Sequence, residues 1–205
     1  APTAARGHEF QEIDPHQGPV CGGALIPPPA MENGETAEEV RDEGDSDNGT
    51  RVRRRRRDKD NHHPVIDVMI VYTEAIRNER GAAALEAAAN QAIAWTNIAF
   101  SNSDVDLTFR LAHVQEVRYS ESGDSSIDLN RLRDTSDGYL EEVHALRDAW
   151  GADIVSLWCL GQGWGNVGGQ GFSMQADNSN FESYAFNVCK AQGATERIFA
   201  HECGH

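Results

Sequence analysis

The sequence predicts an α/β fold on a mostly parallel sheet, and three observations predict it. Residues 65–72 form a near-continuous apolar run rich in β-branched side chains; an Ala-rich stretch with helical spacing follows; and the alternation continues as strand, helix, strand up to Trp158. Strands that alternate with helices pack them as crossovers on the faces of a sheet.

Each element has its own signal. The run Val65-Ile66-Asp67-Val68-Met69-Ile70-Val71-Tyr72 has no polar face, which marks a central strand covered on both sides. Across residues 81–101, Leu85, Ala89, Ala92, Ile93, Thr96 and Phe100 recur at helical spacing. Val105, Leu107, Phe109 and Leu111 then alternate with Asp106, Thr108 and Arg110, predicting a half-exposed strand. Capping residues at 134–137 precede Tyr139, Val143, Leu146 and Trp150, a second helix that Gly151 stops. Residues 152–158 (ADIVSLW) read as the third strand, residues 161–171 as a glycine-dense irregular stretch, and residues 181–188 as one or two further strands. Thr195 is placed to cap a last helix through Ile198, His201 and His205, with Glu196 suited to its first turn.

Composition divides the chain at residue 63. Residues 1–63 show little apolar periodicity, a Pro27-Pro28-Pro29 run and an acidic stretch over residues 32–47, so they read as a disordered leader or propeptide. Residues 64–205 carry the globular part. At the boundary stand Arg51 and Arg53-Arg54-Arg55-Arg56-Arg57, which we read as a processing site in preference to a nucleic-acid patch. A net charge of −15 argues against general binding to nucleic acid or to anionic membrane surfaces. No stretch approaches the ~20 apolar residues of a membrane span, and Ala1 is followed by polar residues instead of a signal peptide. Four cysteines, Cys21, Cys159, Cys189 and Cys203, allow three complete pairings, compatible with a secreted protein. Asn48-Gly49-Thr50 is a glycosylation sequon.

The chemistry concentrates in His201-Glu202-Cys203-Gly204-His205, an HExxH pattern. Side chains at i and i+4 share a helix face, so His201 and His205 can grip one metal ion while Glu202 serves as general base toward an attacking water. Zn²⁺ is the ion such a set suits, and a catalytic zinc site needs a third protein ligand that the motif does not supply. Ile198 and Phe199 give the ligand helix an apolar side to pack. Cys203, two positions from His201, lies off the ligand face and reads as a small buried residue or disulfide partner.

The run FAHECGH at residues 199–205 resembles the active-site helix of the metzincins, zinc endopeptidases with HExxHxxGxxH. With VIDVMIVYT at residues 65–73 and LRDAWGADIVSLW at residues 146–158, it is most similar to the reprolysin-like, peptidyl-Asp metalloendopeptidase branch. The resemblance covers residues 64–205. It implies a metzincin-like twisted, mostly parallel sheet with an antiparallel edge strand somewhere in residues 165–175 and the zinc helix beneath it. His201 and His205 then correspond to zinc ligands and Glu202 to the general base. The third ligand, the Met-containing turn and the C-terminal subdomain would lie beyond His205, so the resemblance implies an incomplete fragment, inactive as it stands. Some metzincins hold the metal with an inhibitory propeptide thiolate; Cys21, in Gly18-Pro19-Val20-Cys21-Gly22-Gly23, is the candidate for such a propeptide acting in cis, against a spare or disulfide-bonded cysteine.

The function expected is therefore a secreted zymogen of a zinc metalloprotease that hydrolyses protein or peptide substrates. One alternative is a gluzincin-type zinc peptidase whose third ligand is a distant Glu, and the other is a non-catalytic metzincin-like binding domain. Competing motifs are weaker. Gly163-Trp164-Gly165-Asn166-Val167-Gly168 matches GxGxxG, but no helix opens behind it, so it reads as a cleft-side loop. His62-His63, His113 and His144 lack partner patterns, and Glu141-Glu142 reads as a solvated helix face.

Overall fold

The structure is a computed structural model that describes residues 20–27, 63–174, 179–192 and 195–205. The acidic run, the sequon, the arginine run and His62 lie outside the described residues.

Strand β1 (Val20–Cys21) is followed, in chain order, by β2 (Val65–Thr73), α1 (Glu74–Arg80), α2 (Ala82–Asn102), β3 (Thr108–Val117), α3 (Ser125–Arg133), α4 (Glu141–Trp150), β4 (Ile154–Cys159), β5 (Val167–Gly171), β6 (Phe186–Lys190) and α5 (Thr195–Cys203). One sheet runs β1-β5-β6-β4-β2-β3. Strands β3, β2, β4 and β6 are parallel; β5 runs antiparallel to β6, and β1 lies parallel on the far side of β5.

The apolar run of β2 is explained by its place between β3 and β4, with helices on both faces. Val68, Ile70 and Tyr72 pack toward α2 and α5, against Leu85, Ala89, Ala92 and Phe199. Met69 and Val71 belong to the opposite core, with Leu129, Leu132, Val143, Leu157 and Val188. Successive β2 side chains enter different cores, so neither parity can be polar.

The prediction of a strand, a helix and two more parallel strands with an antiparallel edge is correct, and boundaries moved where local chemistry overrode pattern. The second strand starts at Thr108, later than the alternation at 105–111 suggests. Val105 is consumed in closing α2, its N–H bonding Phe100 O at 3.0 Å, and the ladder begins where Thr108 N donates to Pro64 O at 3.0 Å. The Asn97 side chain then grips both backbone groups of Phe109 and pins this strand to α2. Residues 181–184, read as strand, are the end of a 3-10 helix (Ser179–Tyr184); Phe181 and Tyr184, three apart, stack on the same side as a three-residue turn requires. Thr195 is the first residue of α5 instead of its cap, and its buried hydroxyl has no hydrogen-bond partner among the described residues. Helix α3 was not anticipated. Its signal is Asp124, whose carboxylate accepts from Ser126 N and Ile127 N.

Part of the stretch before residue 64 also packs on the sheet: residues 20–27 lie along β5, with Gly22 N donating to Gly169 O at 2.8 Å and Leu25 N to Gly171 O at 2.9 Å. Low apolar periodicity concealed this, because the segment is held by backbone bonds.

Asp128, fully buried on α3, ties three chain segments together. It accepts from the Tyr119 hydroxyl, from Ser122 N at 2.8 Å and from Trp164 Nε1 at 2.9 Å. Removing it leaves three donors without their acceptor, each worth about 1 kcal/mol or more when buried. We expect Asp128→Ala to cost about 3 kcal/mol, measured as a lowered urea midpoint with unchanged slope; a midpoint equal to that of the wild type would refute this role.

Candidate metal centre

The HExxH residues sit at the C-terminal end of α5, directly beneath β5. That closeness exists because β5 has almost no side chains on the facing side. A Cβ added to Gly169 would lie 2.7 Å from Glu202 Cγ and 2.8 Å from Ile198 Cγ2, and one on Gly171 would lie 2.9 Å from Glu202 O. Phe199 anchors the other side of the helix, fully buried against Trp158 and Phe109 with edge-on rings. Past the helix, His205 O accepts from Met174 N at 2.9 Å, tying the last motif residue to the segment after β5.

As the motif requires, His201 and His205 come together, their ring centroids 4.8 Å apart. His201 is exposed, His205 is half-buried and Glu202 is 3% exposed. Glu202 Oε2 lies 3.7 Å from His205 Nε2. The fourth member is Cys21, brought by the N-terminal segment: its Sγ is 3.3 Å from His205 Nε2 and 3.9 Å from Glu202 Oε2. Donor atoms of Cys21, His201, Glu202 and His205 all lie within 4.8 Å of one another. Two imidazoles, a thiol and a carboxylate are the donor chemistry of a tetrahedral zinc site, so the residues fit the metal that the motif implies.

The electrostatics agree. Burial without a cation lifts the Glu202 carboxyl from an ordinary 4.5 to about 7, only partly opposed by its contact with Cys21. Burial likewise pushes the Cys21 thiol up, with Glu202 adding to the effect, although Gly23 N–H donates to its sulfur at 3.3 Å. The His205 imidazole is held below its ordinary value by burial and by His201. A cation would relieve the buried Glu202 and Cys21 groups, and an imidazole held neutral at His205 keeps its lone pair free to bind one.

The other three cysteines lie outside this cluster. All four are free thiols; Cys159 and Cys189 are buried, and Cys203 accepts from Asn187 Nδ2 at 3.3 Å inside the α5 core. The GxGxxG stretch is loop leading into β5, where a Gly163 Cβ would strike Gly123 O at 2.7 Å. His113 stacks on Trp150 and His144 lies against Phe186, outside the donor cluster. His63 bonds Asp106. Sequence reasoning passed over Gln170 and Ser126: Gln170, 3% exposed, accepts from Ser126 Oγ at 2.9 Å and donates to Gly23 O at 3.1 Å.

Comparison with known proteins agrees with this geometry. The family model described as metallo-peptidase family M12B, Reprolysin-like, matches residues 63–205. A peptidyl-Asp metalloendopeptidase of Stenotrophomonas maltophilia is 38% identical over 92 residues, covering 45% of this chain and 22% of that protein. One from Pseudomonas aeruginosa is 29% identical over 151 residues, 68% of this chain and 24% of that protein. The matches thus span less than a quarter of either relative. Among solved structures, one described as a chaperone-substrate complex superposes with a TM-score of 0.58 at 17% identity, over 69% of this chain and 23% of that one, a likeness of fold.

The raised Glu202 value has a testable consequence in metal-free protein. Folded chains keep a proton that unfolded chains release above pH 4.5, so this group's contribution falls as pH rises from 4.5 to about 7 and is level beyond. His205 acts oppositely, since its depressed value disfavours the folded state when the unfolded ring is protonated. The difference in thermal midpoint between Glu202→Gln and wild type isolates the carboxyl: it should widen in the variant's favour from pH 4.5 to 7. A difference that does not vary with pH rejects the raised value.

Proposed function

Because the chain belongs to the reprolysin-like M12B metallopeptidases, we propose that it is the precursor form of a zinc-dependent endopeptidase, with residues 1–63 as its leader. The observation that carries the reading is the convergence of His201, Glu202 and His205 beneath the antiparallel edge strand β5, with Cys21 delivered to the same point.

His201 and His205 would hold the metal, with Cys21 as third donor while the leader is seated. Zinc there would supply Lewis acidity toward a carbonyl and toward water. Glu202 accepts the proton of the attacking water at a carboxylate oxygen and returns it to the departing amine nitrogen, which is why a carboxylate adjoins the first ligand. No covalent bond to the protein forms. The leader, lying on β5 with its thiol against His205, excludes both substrate and water, so the seated form is latent.

The relatives' printed name points to aspartate beside the scissile bond. Here the cavity beside Glu202 and His205, about 690 Å³, is lined by apolar side chains that include Phe172, Met174 and Phe186, with Asp153 and Glu182 as further acidic groups. Its guanidinium, Arg147, already donates to the carbonyls of Ala152, Glu182 and Asp153. The substrate class proposed is therefore peptide bonds, without an assigned preference.

Metal content and cobalt spectra of this chain test the site. We expect one chelator-removable metal ion per chain, lost in the double variant His201→Ala/His205→Ala, and a sulfur-to-cobalt charge-transfer band that disappears in Cys21→Ser. In a leader-free form of the parent protein, Glu202→Gln should retain zinc and lose about 10²–10⁴-fold in peptide cleavage. Metal retention without both histidines, or undiminished cleavage by Glu202→Gln, would sink the assignment.

A further inference from the structure

We propose that Gln170, braced by Ser126, is the cleft's receptor for main-chain carbonyls, gripping the leader in the latent form and an extended peptide substrate after the leader departs.

Gln170 lies on the edge strand that meets the leader, and its side chain is oriented from both ends. Ser126 Oγ on α3 donates to Oε1 at 2.9 Å, which leaves Nε2 as the donor facing the cleft. Nε2 reaches Gly23 O at 3.1 Å and Gly22 O at 3.4 Å. These are backbone acceptors, available from any extended peptide whatever its side chains. With the leader gone, Nε2 loses both carbonyl partners and faces the open cleft, where another main-chain carbonyl can take their place. A peptide added along β5, where Gly169 O and Gly171 O now accept from Gly22 and Leu25, would supply a carbonyl in the same place.

The leader is shaped to this receptor. A Cβ on Gly22 would meet Val167 Cγ1 at 2.9 Å, Gly169 O at 3.2 Å and Gln170 Cδ at 3.3 Å, so a side chain here would push the backbone off the amide. Gly23 adopts φ +81°, a left-handed conformation that favours glycine and turns its carbonyl to Nε2 while its N–H bonds the Cys21 sulfur. Cys21-Gly22-Gly23 is thus one unit, whose thiol position follows from the two carbonyls that Gln170 holds. Gln170 acts on the thiol through the leader and is a positioning residue.

The leader half of the proposal is tested on metal-free chain, independently of zinc. Reaction of Cys21 with a disulfide reagent is followed by absorbance and assigned by its loss in Cys21→Ala. Gln170→Glu keeps the shape and removes the donor; it should raise the rate about tenfold, as loss of two hydrogen bonds implies. Gly22→Ala, altered in the leader alone, should do the same, and the double variant should react no faster than either single one. The substrate half rests on the peptidase reading. In leader-free parent protein, Gln170→Glu should raise KM for a peptide about tenfold with kcat within about twofold, since the grip is equal in ground and transition states. Unchanged thiol reactivity overturns the grip on the leader, and unchanged KM overturns the grip on substrate; either ends the shared-receptor proposal. Absence of metal or cleavage in the wild type would instead count against the peptidase reading, leaving the thiol result to stand.

Discussion

The structure depends on an absence of side chains. Along β5, Gly169 and Gly171 present bare backbone to α5, and the helix fills the space down to less than 3 Å from where a Cβ would stand. Everything chemical follows from that contact. It sets the depth at which Glu202 is buried, and thereby the desolvation of its carboxyl. It also brings both histidines close under the strand whose outer edge residues 20–27 occupy. A single methyl at 169 would have to displace Glu202 or Ile198, so the site's geometry and the strand's composition are one constraint.

The same constraint explains why the site is electrostatically unsettled without a cation. The helix carries a carboxyl into a region of low polarity where its direct neighbours are a thiol and an imidazole. None offers a fixed positive charge. A structural carboxylate is treated differently elsewhere in this chain: half-buried Glu121 sits among donors, taking Thr73 Oγ1, Leu160 N and Gly161 N, and Asp128 takes three donors of its own. Among the described residues, Glu202 is the buried carboxylate left without such support. Contrast within one molecule is a stronger argument for chemistry at Glu202 than its burial alone.

How much of this was legible in the sequence depends on which force placed each element. Strands β2 and β4 were readable because burial on two faces leaves a continuous apolar run, and α2 and α4 because one buried stripe leaves a helical period. The meeting of His201 and His205 was readable because HExxH is a local geometry fixed by helix pitch. Where backbone hydrogen bonding or long-range polar contacts decided, the pattern was silent. Residues 20–27 are held by their main chain, which no hydrophobic period records. Gln170 pairs with Ser126, 44 positions away, and with glycines 147 and 148 positions away. Cys21 entered only through resemblance, since nothing near it in sequence marks it as a neighbour of His205. The glycines of β5 were visible but ambiguous: the same density suits a loop, a phosphate cradle or a strand approached by a helix, and only the packing of α5 distinguishes them.

On the proposed reading, leader and metal must strengthen one another. The described part of the leader makes a limited set of contacts: main-chain bonds to β5 and to Ser173, the amide of Gln170, one thiol, and Leu25 packed against the core. Such a short added strand is marginal by itself. A cation shared by Cys21, His201 and His205 would hold the thiol against the domain, and the seated thiol would in turn complete the cation's ligands. Linkage makes the two effects equal in free energy, so whatever factor the metal contributes to leader affinity the leader returns to metal affinity. Cutting the chain between leader and domain leaves those contacts in place and removes only their high effective concentration. A weakly gripping, metal-dependent leader of this kind is firm while tethered and lost by dilution once severed, which is the behaviour a latent hydrolase requires and which a large apolar interface would not give.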